Sequence, residues 1–237
     1  MGFFKKQNTS QAIVDYVLDK INCGELKIGD KLPTERELSE KLEVSRVPIR
    51  EALCALSVMG ILESRQGNGT YVNHFDSGIM GRVFYAFAVL ENTQMSEILS
   101  VRKTMEAEGA RLAADNATNE QIIRMEQILA EYDETLNLSP DSRLFREQIK
   151  SLDYSFHYAV AEASHNRYLV QLLSTVTASF RVLHEKSFSE DKDLGLDAAK
   201  RFQEVHKKVL MAIKARDQHR AWEAMYEHMT TIENIIR

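Results

Sequence analysis

Apolar residues recur at three- and four-residue intervals along most of the chain, the spacing of amphipathic helices. The first such stretch is 8–22, where Ala12, Ile13, Val14, Tyr16, Val17, Leu18 and Ile21 supply an apolar side and Gly24 ends the pattern. A turn over Ile28–Leu32 leads to Thr34, and Glu37 three residues later completes a capping box, predicting a helix to about Leu42. After a tight turn at Glu43 and Val44, Ser45 is the next N-cap candidate. Pro48 falls in the first turn of the following helix, where its missing N–H costs little. That helix turns Ile49, Leu53 and Leu56 inward and leaves Arg46 and Arg50, four apart, on one outer face near its N-terminus. The pattern then changes. Ile61-Leu62-Glu63 and Thr70-Tyr71-Val72 read as two short strands, with Gly67 and Gly69 between them permitting positive φ. Two short helices and a glycine-tipped hairpin predict a winged helix-turn-helix, whose second helix enters a DNA groove. The competing reading is a small helical subdomain whose arginines are simply a solvated face.

Asn73–Gly78 is short, polar and without periodicity, and reads as a linker. Beyond it the spacing is helical throughout. Helices are expected over Ile79–Glu91 and Met95–Asn116, the latter with small residues Ala107, Gly109, Ala110, Ala113 and Ala114 that allow close helix approach. A second capping box, Thr118 with Gln121, opens a helix to about Leu138, and Ser139-Pro140-Asp141 breaks it. A helix over Ser142–Ser164 should end at His165-Asn166, with Asn166 taking the left-handed cap. Tyr168–Lys186, a charged loop over 189–193, Leu196–Arg216, a cap at Asp217 and Gln218–Ile236 complete the chain. The expected fold is therefore mostly α: a winged helix-turn-helix in residues 1–73, a linker over 74–78, and an all-helical bundle over 79–237.

Composition agrees with this. Hydrophobic residues make up 44%, with three Pro and ten Gly, which suits a mostly helical soluble protein. No apolar run approaches the roughly 20 residues of a membrane span, and no signal-peptide pattern opens the chain, so a cytoplasmic protein is expected. Cys23 and Cys54 have no metal or redox spacing and are expected to be semi-buried free thiols. The net charge of −5 would argue against a DNA binder if it were evenly spread. Residues 1–75, however, hold ten basic and ten acidic side chains, so the acidity belongs to the second part. DNA binding would then rest on a local cluster, strengthened by two copies and weakened by salt.

The second part carries a distinct set of polar groups. Asp153 and His157 lie four apart, on one helix face. His206 sits among Phe202, Val205, Val209 and Leu210, and His228 among Met225, Met229 and Ile232. Three neutral imidazoles and a carboxylate suit Zn²⁺ or another divalent transition metal with positions left for a bound molecule. Spacing does not show that they converge, and an inward histidine is commonly a hydrogen-bonded core residue. His74, His165, His184 and His219 fall in the linker, near helix ends or in polar settings and carry no site reading. Phe180, Phe202, Trp222, Met225, Tyr226 and Met229 read as core or dimer contacts.

Two resemblances sharpen these alternatives. Pro33-Thr34-Glu35-Arg36-Glu37-Leu38-Ser39, Ser45-Arg46-x-x-Ile49-Arg50-Glu51-Ala52-Leu53 and Gly67-x-Gly69-Thr70-Tyr71-Val72 resemble the DNA-binding domain of GntR-type bacterial transcription regulators. The resemblance implies that Arg36, Arg46 and Arg50 touch the operator, that Ser45 and Thr34 lie at the DNA, and that Gly67 enters the minor groove. Arg102-x-x-x-Glu106, Asp153-x-x-Phe156-His157, Ser164-x-Asn166, Glu204-x-His206 and Met225-x-x-His228 resemble the helical FCD effector domain of the FadR subfamily. That likeness implies that Asp153, His157, His206 and His228 are the protein ligands of one metal, with zinc first and nickel, manganese or iron as alternatives. It also implies that Arg102 pairs with a carboxylate effector, a task suited to a planar guanidinium.

The resulting expectation is a homodimeric transcription repressor, not an enzyme. It would read a palindromic double-stranded operator and respond to a small carboxylate held at the metal. Two rivals follow from the same residues. A metallohydrolase with an appended DNA-binding domain would use the metal to activate water, though no extra carboxylate stands out as a general base. A purely structural metal would leave the signal to a partner protein.

Overall fold

The computed structural model describes residues 9–140, 142–187 and 195–236, and divides into two compact units, 1–80 and 81–237. The charged loop expected over 189–193, Asp141 of the expected helix break and the side chain of His184 lie outside what is described.

In the first unit, α1 (Thr9–Asn22), α2 (Glu35–Leu42) and α3 (Arg46–Val58) precede a hairpin of β1 (Leu62–Arg65) and β2 (Gly69–Val72). The capping box is present: Glu37 N–H donates to Thr34 Oγ1 (3.3 Å), and the Glu37 carboxylate accepts from Thr34 N–H (2.7 Å). Glu43, in the left-handed conformation, ends α2 and turns the chain into α3. Ile13, Val14, Val17, Leu38, Ile49, Ala52, Leu53 and Leu56 form one core with Leu62 and Val72 of the hairpin. Burial of the apolar sides of α1 and α3 thereby fixes the outward side of α3.

The strands are antiparallel, Leu62 opposite Val72 and Arg65 opposite Gly69, and run further toward the hairpin tip than the apolar triplets suggested. Ile61 stands outside β1, its N–H donating back to Leu56 O in the turn that follows α3 (2.9 Å). Lys31 bridges to Tyr71, and Leu32 N–H donates to Thr70 O (2.8 Å), so the segment before α2 flanks the wing. Gly67 at the tip has φ +71°.

The second unit is helical throughout its described residues. The chain enters it along α4 (Ser77–Leu90), which starts two residues earlier than expected because Asp76 Oδ1 accepts from Gly78 N–H (2.7 Å). It continues through α5 (Met95–Asn116), α6 (Asn119–Thr135), α7 (Arg143–Ala163), α8 (Arg167–Ser187), α9 (Leu196–Lys214) and α10 (Gln218–Ile236). Thr118 and Gln121 form the expected box at α6, and Ser142 Oγ caps α7 by accepting from Phe145 N–H (3.1 Å). Ala107, Gly109, Ala110, Ala113 and Ala114 of α5 are all buried, as close helix approach requires. Ala110, Ala113 and Ala114 share a core with Met125 and Leu129 of α6, Phe156 and Val160 of α7, Val209 and Ile213 of α9, and Met225 and Met229 of α10. No helix among the described residues is long and apolar enough to cross a membrane.

Two expectations are corrected. The left-handed residue after α7 is His165 (φ +56°), not Asn166. Asn166 instead caps α8, its Oδ1 accepting from Leu169 N–H (3.1 Å), a role its short amide fills best just before a first turn. Both cysteines are exposed. Cys54 lies between the buried positions Leu53 and Leu56 on the outer side of α3, and Cys23 sits in the turn after α1, its Sγ–H directed at Lys20 O (3.5 Å).

Among the described glycines, Gly81 of α4 is the one most closely approached by another helix. A β-carbon there would stand 2.5 Å from Ala178 Cβ and 3.0 Å from Ser179 N of α8. Alanine gains roughly 1 kcal/mol of helix propensity, but the overlap involves backbone and cannot be relieved by a rotamer change. Gly81→Ala should therefore be destabilising, by about 1–2 kcal/mol net, read as a lower denaturation midpoint with an unchanged far-ultraviolet spectrum.

Candidate functional site

Two groups of residues carry chemistry, one in each unit. In the first, α3 presents Arg46 and Arg50 to solvent on the side opposite Ile49, Leu53 and Leu56. Arg50 is 72% exposed and forks onto Glu35, with Nε to Oε1 at 3.1 Å and Nη2 to Oε2 at 2.8 Å. An exposed pair of this kind is worth about 0–1 kcal/mol, so it orients the guanidinium without holding it. Arg36 of α2 is 67% exposed and only loosely approached by Glu40 (4.0 Å). Ser45 occupies the N-cap position of α3, but its hydroxyl makes no cap hydrogen bond. The first turn of α3 thus keeps its helix-end polarity facing outward, an arrangement favourable to an anion. Thr34 is exposed, yet its hydroxyl is engaged with Glu37 in the capping box. On the wing, a β-carbon on Gly67 would meet nothing within 4 Å, so the tip is open. Arg65 was not singled out in the sequence. It lies over the Tyr71 ring (4.4 Å to the centroid) and pairs with Glu63 (2.8 Å).

In the second unit, Asp153 and His157 of α7, His206 of α9 and His228 of α10 converge, with one ligand atom from each lying within 4.8 Å of all the others. The helical spacing explains the inward aim. His157 follows Phe145, Ile149 and Phe156 on the buried side of α7. His206 lies between Phe202 and Val209 in α9, and His228 follows Ala221 and Met225 in α10. Phe156 packs on His206 (4.7 Å between ring centroids), and Phe202 meets His228 edge-on (5.1 Å). Gln203 holds α9 against α6, donating from Nε2 to Leu129 O (2.7 Å) and Asp133 Oδ1 (3.0 Å).

The inner atoms are three imidazole Nε2 nitrogens and one carboxylate oxygen. His228 Nε2 lies 3.1 Å from His157 Nε2 and 3.2 Å from His206 Nε2, and Asp153 Oδ1 lies 3.5 Å from His206 Nε2 and 3.9 Å from His157 Nε2. Donors about 2.0–2.2 Å from a common ion stand roughly 3–3.5 Å apart, so most of these spacings suit one. Burial pushes the pKa of His206 well below the usual imidazole range, and burial beside His157 puts that of His228 at about 3. Both rings are therefore neutral and present lone pairs. His228 Nε2 carries either one hydrogen or one lone pair, so it cannot make full hydrogen bonds to both neighbouring Nε2 atoms. Asp153 Oδ1 is also buried without a hydrogen-bond partner. A divalent cation would meet all four groups, and the cluster is compatible with a metal site.

Arg102 of α5 lies beside this cluster but is already engaged. Its Nε (3.0 Å) and Nη2 (2.5 Å) both donate to Glu106 Oε1, and its guanidinium lies over the Phe180 ring (5.3 Å). Among the described residues Nη1 donates no hydrogen bond. The other oxygen of Glu106, Oε2, contacts His157 Nδ1. Burial alone would raise the Glu106 pKa, but His157 and Arg102 outweigh it and hold the carboxyl at about 2. Burial would likewise lower His157, and the Glu106 charge more than reverses this. The sequence showed Glu106 only as part of a motif. Its one local signal was an i, i+4 acid after an arginine on an otherwise small-residue, apolar helix face.

Known proteins resemble the chain in both units. Residues 9–72 match the family described as bacterial regulatory proteins, gntR family, and residues 97–231 match the FCD domain. The HTH-type transcriptional regulator LutR of Bacillus subtilis is 32% identical over 91% of this chain and 95% of its own length. The Uxu operon regulator of Haemophilus influenzae is 32% identical over 90% of this chain and 76% of its own. Among solved structures, Streptococcus agalactiae GntR superposes with a TM-score of 0.72 at 26% identity, covering 95% of this chain and 99% of that one.

Removing one inner imidazole tests the cluster directly. Purified protein reconstituted with Zn²⁺ should carry about one ion per chain by mass spectrometry, and His206→Ala should lose most of it.

Proposed function

The chain belongs to the GntR family of bacterial transcription regulators and carries an FCD domain, and from this premise we propose that it is a repressor whose hold on a palindromic operator is set by a small carboxylate bound at a divalent metal centre. It is a regulator, like its relatives, rather than an enzyme. The observation that carries the metal-controlled reading is the convergence of Asp153, His157, His206 and His228 from three helices, with three Nε2 atoms packed against one another beside a buried, unbonded Asp153 Oδ1.

In this reading residues 1–73 read DNA, 74–78 connect, and 79–237 bind ligand and dimerise. Arg46 and Arg50 reach base edges in the major groove, where a guanidinium can bond guanine O6 and N7 together. Arg36, Thr34 and Ser45 lie at the backbone, Ser45 adding its unengaged hydroxyl to the α3 N-terminus. Gly67 lets the wing tip approach the minor groove without a side chain in the way. Arg50 exchanges Glu35 for its DNA partner, a small loss because that pair is exposed.

In the helical domain Asp153 and the three Nε2 atoms would hold the ion, zinc first among the divalent metals. Bound there, the ion supplies a Lewis-acid position for a carboxylate oxygen. Arg102 neutralises the incoming charge through Nη1, the edge that Glu106 leaves unused. Homodimerisation is supported by α4, which exposes Phe84, Phe87, Val89 and Leu90 on a helix apolar around most of its circumference. Two copies would match the two half-sites of an operator. The carboxylate shifts operator affinity only as far as it binds one arrangement of the dimer better than another.

A thermal-shift screen of small carboxylates, run with metal-loaded and metal-stripped protein, tests the effector. Stabilisation that requires both metal and acid is expected. Stabilisation by metal alone, with no acid of a broad panel adding to it, would leave a structural ion and overturn the effector assignment. Arg50→Ala should weaken operator binding by roughly 1–3 kcal/mol and leave the carboxylate shift intact. Arg102→Ala should abolish the carboxylate shift and retain ligand-free operator binding, measured by anisotropy at fixed salt. Loss of ligand-free operator binding in Arg102→Ala would refute this division of labour.

A further inference from the structure

We propose that Glu106 is a positioning residue that couples Arg102 to His157, so that the state of the arginine and the affinity of the cluster for a metal depend on each other. The inference rests on the metal-centre reading above and deepens it.

One carboxylate faces two ways. Through Oε1 it takes both the Nε and Nη2 hydrogens of Arg102, and through Oε2 it meets Nδ1 of His157. The arrangement is closed to solvent, the side chains of Glu106 and Arg102 being 1% and 4% exposed. A ring that donates Nδ1–H to a carboxylate keeps its Nε2 lone pair for a metal, and Nε2 is the atom of His157 that faces His228 at 3.1 Å. Among the described residues His206 and His228 have no such orienting partner, their Nδ1 atoms being buried and unbonded. Of the three imidazoles, His157 is thus the one whose tautomer and ring angle are set by an internal acceptor.

The second face of Glu106 makes this more than support. A carboxylate arriving at Nη1 draws on the same guanidinium charge that Glu106 holds through Nε and Nη2. Any weakening of the Oε1 contacts lets the Glu106 side chain move, and His157 Nδ1 is bonded to that side chain. By linkage the effect is reciprocal: whatever changes metal affinity through this path changes affinity at Arg102 by the same factor. No ligand of the cluster comes from α5, so Glu106 is the polar contact by which that helix reaches it.

A mutant cycle in metal-stripped full-length protein tests this, with Co²⁺ as the probe, titrated against a competing chelator and followed by its d–d absorption. Glu106→Gln preserves volume but lets an amide N–H face Nδ1, and should weaken Co²⁺ binding roughly ten- to hundredfold with an altered absorption band. Arg102→Met should weaken it less, and should have no further effect once Glu106 is already Gln. The double variant carries no unpaired buried charge, so it supplies the affinity even if Glu106→Gln alone does not fold. In Zn²⁺-loaded wild type, ¹⁵N histidine spectra should show His157 protonated at Nδ1 and metal-bound through Nε2.

Co²⁺ affinity within about twofold of wild type in the Glu106 variants would overturn the positioning role, which predicts a far larger loss. Equal effects of Arg102→Met with and without Glu106 would overturn the coupling. Wild-type protein that takes up no Co²⁺ at all would instead overturn the metal reading, and this inference with it.

Discussion

Four polar side chains from three helices share one small volume inside an otherwise apolar bundle, and the helical unit is built around making that tolerable. An isolated charge in such a place would cost far more than a folded domain has to spare. The chain meets the constraint by dividing the groups. His206 and His228 are held neutral by burial, packed against Phe156 and Phe202 as if they were apolar rings. The charged pair is set to one side, where Glu106 of α5 meets the Arg102 guanidinium through one oxygen and His157 Nδ1 of α7 through the other. What remains uncompensated is an inward set of nitrogen lone pairs and one carboxylate oxygen, which is the chemistry of a cation site.

The rest of the bundle serves to bring α5, α7, α9 and α10 into register. Small residues along α5 let it share a core with Met225 and Met229 of α10, and the caps at Thr118 and Ser142 set where α6 and α7 begin. Displacing a cap by one residue would rotate the following helix by about 100°, given roughly 3.6 residues per turn, and carry Asp153 and His157 off the shared axis. The same economy operates in the DNA-reading unit. Ile49, Leu53 and Leu56 are buried, and so Arg46 and Arg50 are displayed. There the arginines are exposed and Arg50 is only weakly held by Glu35. In the helical unit the three histidines of the cluster are buried and packed from several directions.

The two regions also differ in how their charge is used. The DNA-reading unit is electrically balanced, and its basic residues matter by placement rather than by excess. Arg36, Arg46 and Arg50 stand on α2 and α3, while acidic Glu35 and Glu40 lie against two of them and moderate attraction to arbitrary DNA. Specific contacts must then supply what bulk charge does not.

Local patterning determined the helices and the wing, because capping boxes, apolar spacing and glycine turns act within a few residues of themselves. Thr34 with Glu37, Thr118 with Gln121 and the span Met95–Asn116 stand where the sequence predicts them. It also determined which residue types could form a site: an Asp and a His four apart, and two histidines on the apolar sides of other helices. It missed where local signals compete. His165 took the left-handed turn while Asn166 capped the next helix, and Cys54 lies just off a buried helix face whose width periodicity does not define, with Cys23 already in the turn beyond α1. Only the tertiary structure decided that His157, His206 and His228 meet, since they are separated by dozens of residues and their convergence depends on packing between helices. It alone also revealed Glu106 as the contact between Arg102 and His157. An i, i+4 pair on one helix fixes its own spacing, but which side chain of another helix it touches is set by how the two helices pack.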